Sequence, residues 1–333
     1  MNRLYPLKFN PIFKEKIWGG DKMRTQLNMD FSPLANCGEA WILSGVEGEE
    51  SVVSNGFLQG NQLDELIEVY MQDLVGDFVF EKHGLVFPVL IKFIDSRDWL
   101  SIQVHPDDEL AARRGLGNGK TEMWYVLDAN QDAKLISGFN QKIDRGKYLH
   151  HLNNKKLKEI LNFEQVSKGD VFYMPAGRVH ALGPGVFLTE IQQTSDTTYR
   201  IYDWDRMQAD GTFRKLHTEQ ALEAINFEVQ DDYKTHYEHK ENETGKLVDC
   251  PYFTTNILKF NNALVKDYTQ LESFVVYVCT AGSFKLVYRD GSMQVGRGEV
   301  VLIPAELKKI SLIPTQEAEI LEVYQPRLFD NAF

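Results

Sequence analysis

Lys168-Gly169-Asp170-Val171-Phe172-Tyr173-Met174-Pro175-Ala176 is matched, residue type for residue type, by Arg297-Gly298-Glu299-Val300-Val301-Leu302-Ile303-Pro304-Ala305. Each stretch reads as a base, a glycine, an acid, four apolar positions, a proline and an alanine. Glycine permits a tight turn into the apolar strand, and proline, which cannot donate to a ladder, ends it. The pattern occurs once in each part of the chain, so one β architecture is expected to be built twice.

The flanks agree with that reading. Val86-Phe87-Pro88-Val89-Leu90-Ile91-Lys92-Phe93-Ile94 is a buried strand interrupted by a single cation. Beyond a polar junction at 228–246, the chain is nearly all short strands: 254–260, 273–279, 283–288, 300–303 and 319–324, with Asp290-Gly291 as a turn. Helices are few. Leu63, Leu66, Ile67, Tyr70, Met71 and Leu74 recur at helical spacing behind Asn61 as a cap, a second helical stretch covers 147–163, and a short third follows His217. The repeated Gly-turn, strand and Pro-turn among β-rich flanks resembles the cupin family of small jelly-roll barrels. The expectation is a mainly β protein with two cupin-type jelly-roll barrels and a small helical portion in and around the first. Residues 1–235 would form a metal-bearing catalytic domain and 236–333 a cupin-like domain without ligands, because Lys309 stands in the second copy where the first has His180.

Composition narrows the function classes. A chain of 333 residues has room for a large core and about two domains. No apolar run reaches the ~18 residues of a membrane span, and Met1-Asn2-Arg3-Leu4-Tyr5-Pro6 has no signal-peptide core. Cys37, Cys250 and Cys279 are too scattered for a disulfide framework, so reduced thiols and a cytoplasmic location are expected, without a membrane partner. A net charge of -12 argues against nucleic acid. It leaves open a small phosphorylated ligand held by a few converging Lys and Arg side chains.

Leu100-Ser101-Ile102-Gln103-Val104-His105-Pro106-Asp107-Asp108 carries the first chemical signal. In a period-two strand Leu100, Ile102 and Val104 face one way, while Ser101, Gln103 and His105 face the other until Pro106 stops the strand. Glu122, in a strand with Trp124, is a carboxylate among apolar neighbours and must be paired, protonated or bound to metal. His180 follows a Pro-Ala-Gly turn. Two imidazoles, a carboxylate and an amide oxygen suit zinc or a similar divalent ion. Each residue alone has a structural reading; the conjunction favours the metal.

Three cations stand out. Lys92 interrupts a buried strand, Lys120 precedes Glu122 by two residues, and Arg200 lies between Asp196 and Asp203. A structural ion pair is the plain alternative for Lys92, and a local salt bridge for Arg200. The basic residues of 147–163 and the pairs His150-His151 and His236/His239 read as solvated surface.

Trp18-Gly19-Gly20, Gly38-Glu39-Ala40-Trp41, Leu100 to Asp108, Gly119 to Tyr125, Gly169 to Gly183 and Gln192 to Arg206 together resemble type I mannose-6-phosphate isomerases, particularly the short bacterial form. The resemblance runs in order from about Tyr5 to Arg206 and more loosely beyond. It implies one zinc ion per chain held by Gln103, His105, Glu122 and His180, an active-site arginine at Arg200, and a substrate cleft lined by Lys92, Lys120 and Glu190; Ser101, on the strand face of Gln103 and His105, is a further candidate substrate contact. It also implies an aldose-ketose isomerase that interconverts mannose 6-phosphate and fructose 6-phosphate through a zinc-stabilised enediolate; for that chemistry Glu190, a carboxylate that burial near a metal can tune, is the choice of general base, and Arg200 and Lys120 are the candidate catalytic cations. One departure is visible: longer family members carry a His where this chain has Gly119. A different metal-dependent cupin enzyme or a sugar-binding cupin module are the competing readings, and the chain does not specify an oligomeric state.

Overall fold

A computed structural model describes residues 3–208 and 210–327. The fold is mainly β and built on three antiparallel sheets. The first is six-stranded, in the order Ile12–Lys14, Glu39–Leu43, Val89–Ser96, Val186–Gln193, Glu122–Ala129, Val171–Met174. The second is five-stranded, in the order Tyr199–Tyr202, Ile102–Val104, His180–Leu182, Lys134–Phe139, Leu161–Gln165. The third is seven-stranded, with Thr244–Asp249, Thr254–Phe260, Lys309–Tyr324, Val275–Tyr288 and Gly291–Gly296 in sequence across it, and with Leu264–Asp267 and Val300–Ile303 paired to its two longest strands. Among the described residues no helix is long and apolar enough to cross a membrane.

Packing divides the chain into two compact units, each assembled from separate stretches: 13–40 with 92–235, and 1–12 with 41–91 and 236–333. The order of parts along the sequence is therefore not the order in which they pack. The physical reason lies in the short helices after residue 62. Backbone amides of Phe274, Ala305 and Glu306 donate to the carbonyls of Val75, Leu74 and Asp73 at 2.9 Å each. Phe87 meets Phe274 with ring centroids 4.4 Å apart. Helix Leu63–Tyr70 is capped by Gln62 rather than Asn61, through a capping box in which the Gln62 backbone N–H donates to Glu65 Oε2 at 2.9 Å.

The repeated stretch folds twice in the same way. Gly169 and Gly298 have left-handed φ of 88° and 85°. Their N–H groups donate at 2.8 Å to Val126 and Cys279 respectively, and those two residues donate back at 3.0 Å to the carbonyls of Asp170 and Glu299. Glycine is needed at a backbone conformation of this kind, so the two turns share one geometry set by one sequence pattern. His180 and Lys309 each begin the next strand, the first buried and the second exposed beside Asp267.

Two expectations of local structure are corrected. The helical stretch 147–163 ends as a helix at Asn153, after which Lys155 adopts a left-handed φ of 58° and Leu161–Gln165 joins the five-stranded sheet. The strands expected at 273–279 and 283–288 are one strand, Val275–Tyr288, with register shifts between Cys279 and Phe284.

Within the unit of 13–40 and 92–235, apolar side chains of two sheets form one cluster: Ile94, Trp124, Val126, Phe172, Met174 and Leu188 with Leu135 and Leu182. The outward face of the five-stranded sheet buries Ile102, Val104, Ile136 and Ile201 against Tyr148 and Leu157. This sandwich leaves the polar side chains of the inner faces pointing at one another.

Candidate metal centre and active site

Register places the ligands. In the five-stranded sheet Arg200 pairs with Gln103, Gln103 with His180, and His180 with Ser137, so these four side chains stand in one row on one face. His105 follows Gln103 by two residues and shares that face. The alternation holds from Ile102 to His105 but not at Leu100, which packs in the inner cluster because the strand begins only at Ile102. On the opposing sheet Glu122 pairs with Gln192 and Met174, and Trp124 with Glu190 and Phe172. Glu122, Trp124 and Glu190 therefore face the same way.

The inner faces bring His105, Glu122 and His180 together, with one ligand atom from each within 4.8 Å of the others. Oε2 of Glu122 lies 3.5 Å from His105 Nε2, and Oε1 lies 3.3 Å from His180 Nε2. The remaining imidazole nitrogens are committed. His105 Nδ1 sits 2.9 Å from the Thr197 carbonyl and His180 Nδ1 2.9 Å from the Arg178 carbonyl. A carbonyl only accepts, so each Nδ1 carries the proton and each Nε2 turns a lone pair inward. Gln103 Nε2 lies 3.3 Å from His180 Nε2, while its Oε1 is 3.4 Å from Ser101 Oγ. A half-turn of the amide exchanges its two ends and presents oxygen to the centre.

The electrostatics describe a site built for a cation. Burial, reinforced by the charge of Lys120, holds the His105 imidazole well below its ordinary pKa, and burial brings His180 to about 4. Burial and then the charge of Glu190 push the Glu122 carboxyl up to about 8, against the pull of Lys120 and Lys92. His105 Nε2 and both Glu122 oxygens are buried without a hydrogen-bond partner. Unpartnered buried acceptors of this kind are strongly unfavourable, and a divalent ion among them removes the penalty. The donor set fits the metal.

Alongside runs a chain of alternating charges. Lys92 Nζ is 3.0 Å from Glu190 Oε1 and 3.8 Å from Glu39 Oε2, and Glu39 Oε1 is 3.2 Å from Lys16 Nζ. The indole N–H of Trp124 donates to Glu190 Oε2 at 2.9 Å. Burial opposes ionisation of Glu190, but Lys92 and Lys120, with the two hydrogen bonds, outweigh it and hold the carboxyl below its usual range. Lys120 Nζ approaches Glu122 Oε2 at 3.5 Å. Glu39 belongs to the Gly38-Glu39-Ala40-Trp41 motif but had no assigned role; an acid in a strand otherwise apolar, Glu39–Leu43, was the available signal.

Arg200 does not form the local salt bridge that its flanking acids suggest. Its Nη1 donates to the Lys215 carbonyl at 2.8 Å, and its backbone N–H donates to His217 Nδ1 at 3.0 Å. Asp203 instead binds Arg206 and Arg214. The position of Gly119 admits no side chain: a Cβ there would lie 2.6 Å from backbone atoms of Asp107 and Asp108, and its N–H donates to Asp108 Oδ1 at 2.7 Å.

Residues 6–141 match the family model described as phosphomannose isomerase type I, catalytic domain. The mannose-6-phosphate isomerase ManA of Bacillus subtilis is 35% identical over 321 residues, covering 92% of this chain and 95% of that protein. The chain belongs to the type I phosphomannose isomerase family. A second member, the mannose-6-phosphate isomerase of Streptococcus mutans, is 33% identical over 91% of this chain and 93% of its own length. The crystal structure of the Bacillus subtilis mannose 6-phosphate isomerase matches with a TM-score of 0.86 at 31% identity, over 96% of this chain and 99% of that one. The type I frame thus extends through the C-terminal part, beyond the residues that carry the motifs.

Proposed function

We propose that this chain is a zinc-dependent isomerase that interconverts mannose 6-phosphate and fructose 6-phosphate at the centre formed by Gln103, His105, Glu122 and His180. The observation that carries the reading is the set of three buried donors His105, Glu122 and His180, of which His105 Nε2 and both Glu122 oxygens have no hydrogen-bond partner, beside the buried Lys92–Glu190 pair. Two imidazoles, a carboxylate and an amide oxygen are a borderline ligand set that suits zinc, one ion per chain. The bound ion supplies Lewis acidity to the sugar carbonyl.

The protein's own groups carry the rest. Glu190, ionised and aimed by Lys92 and Trp124, moves the proton between C2 and C1. Lys120 and Lys92 contact the sugar oxygens and hold negative charge that develops there, and Ser101 is a further hydroxyl contact. Arg200, which stands in one row with Gln103 and His180 and lies in the field of Arg206 and Arg214, takes the phosphate. In this reading 1–235 carries the ligands and 236–333 none, and the three buried cysteine thiols support a cytoplasmic location.

The deciding experiment is to purify the protein, quantify its metal, and follow conversion of mannose 6-phosphate to fructose 6-phosphate with and without a chelator. The expected result is turnover that a chelator abolishes and zinc restores; no turnover in the zinc-loaded protein overturns the reading.

A further inference from the structure

Beside Arg200 lies a cluster of charges formed by Asp203, Arg206 and Arg214. Asp203 accepts from Arg206 Nη2 at 2.6 Å and, from Arg214, Nη2 at 2.5 Å and Nε at 2.7 Å. One carboxylate, itself buried, thus binds two guanidiniums, and Arg200 feels the charges of all three residues. Nε of Arg200 and Nε of Arg206 are buried without hydrogen-bond partners.

The backbone is shaped to make this contact. Trp204 and Asp205 both have left-handed φ, 59° and 53°, and the Arg206 N–H returns to the Asp203 carbonyl at 3.1 Å. A turn with both central residues at positive φ prefers Asn or Gly, and a bulky residue such as Trp is strained there. The strain is held by the Trp204 indole N–H, which donates to the Leu100 carbonyl at 2.7 Å. After the turn, Met207 pairs with Phe213, which puts residues 206 and 214 side by side at the open end of a small hairpin. Such strain persists only where the surroundings over-determine it, and it concentrates at functional positions.

Charge arithmetic points the same way. Three guanidiniums against two carboxylates, Asp203 and the more exposed Asp98 that lies 3.4 Å from Arg206 Nη1, leave a formal net charge of +1, opposite in sign to a phosphate monoester at about −1.5 to −2 near neutrality. Without Asp203, Arg206 and Arg214 would lose the carboxylate that holds them together, while Arg200 would keep its bond to the Lys215 carbonyl.

We infer that Asp203 is a positioning residue for phosphate recognition: it clamps Arg206 and Arg214 beside Arg200, so that a dianionic phosphate meets a pre-arranged set of donors. This rests on the reading that Arg200 and its neighbours take the substrate phosphate. Preorganised donors lower the ordering that binding must impose, and a forked guanidinium has a geometry that an ammonium lacks. The clamp therefore acts on substrate capture and not on proton transfer.

The test is steady-state kinetics with mannose 6-phosphate on the zinc-loaded enzyme, together with competitive inhibition by inorganic phosphate and a metal count. Asp203→Asn is expected to raise KM and the phosphate inhibition constant about 10-fold, with kcat within about twofold and metal content unchanged. Arg214→Lys, which keeps the charge and loses the fork, is expected to do the same, and it decides the matter if the Asp203 variant fails to fold. Arg206→Ala separates the inference from the reading beneath it. If Arg206→Ala weakens phosphate inhibition while Asp203→Asn and Arg214→Lys leave it within twofold, the clamp is overturned and the phosphate site stands. If none of the three changes phosphate inhibition, the phosphate site itself is misplaced. A fall in kcat and thermal stability at unchanged KM marks Asp203 as structural only and also overturns the inference.

Discussion

Oε2 of Glu122 and Nε2 of His105 lie 3.5 Å apart, both buried, and neither has a hydrogen-bond partner. Each presents a lone pair to the other. Two facing acceptors define a place for a cation more sharply than any one ligand does.

Metal removal is expected to cost stability as well as activity. A ligand that binds only the folded state stabilises it by RT ln(1 + [L]/Kd), about 2.7 kcal/mol at a hundredfold excess over Kd. Chelation should therefore lower the thermal midpoint, and added zinc should restore it. His180→Ala should lose the metal, the rate and this metal-dependent stabilisation together; a midpoint indifferent to chelator in the wild-type protein would contradict the site.

Arg200→Ala is expected to behave differently. Arg200 neighbours Gln103 across the strand pair but offers no ligand atom to the centre. The variant should keep its metal and lose roughly 10²–10³ in kcat/KM, the scale of removing one charge-stabilising donor. Near-normal turnover would remove Arg200 from the active machinery.

The Lys92–Glu190 pair makes a stability prediction. Both side chains are about 5% exposed and 3.0 Å apart. Removing one partner of a buried pair leaves an uncompensated charge at a cost of about 3–5 kcal/mol. Lys92→Met should therefore lower the urea midpoint markedly, whereas Glu190→Gln, which keeps an acceptor for the Trp124 indole, should be folded and slow. Equal stability of Lys92→Met and wild type would contradict the burial of the pair.

Much of this was legible in sequence because it rests on short-range pattern. The glycine turn at 169 and its copy at 298 share a backbone conformation that only their local sequence demands. The period-two alternation at Ile102–His105 put Gln103 and His105 on one face. What was not legible depends on residues far apart in the chain. Nothing in 63–83 reveals that the carbonyls of Asp73, Leu74 and Val75 receive amides from 306, 305 and 274. Asp203 looked like a local partner for Arg200, yet a left-handed turn and a hairpin deliver Arg206 and Arg214 to it instead. The helical spacing of 147–163 misled at its end, because Leu161 and Phe163 serve the sheet as readily as a helix face.

Gly119→His should not be tolerated. The Gly119 N–H is bound by Asp108, and Lys120, next in the chain, donates its N–H to the Pro106 carbonyl at 3.0 Å. A Cβ would displace backbone at 107–108, with an expected loss of about 1–3 kcal/mol and a shift of Lys120 away from Glu122. Reduced stability with a lower kcat checks it; a stable variant with raised kcat would mean that this turn can open to admit an imidazole.

Asp95 supplies a pH prediction independent of the metal centre. It is buried, accepts the Lys22 N–H at 2.7 Å, and sits so near Gly20 that a Cβ there would lie 2.2 Å from its Oδ2. Burial raises its carboxyl to about 6, with the Lys22 hydrogen bond and charge opposing. Its unfolded value is about 3.9. Between these two values the folded state binds more protons than the unfolded state, so stability is full below about pH 4 and falls as pH rises toward 6. At pH 7 the ionised carboxyl then costs at most about 2–3 kcal/mol. Asp95→Asn keeps an acceptor for the Lys22 N–H and removes the titration. Urea unfolding at pH 4.5 and pH 7 should therefore show the variant gaining about 1–2 kcal/mol on wild type at the higher pH. Parallel behaviour of the two proteins across that interval would mean that Asp95 titrates outside it.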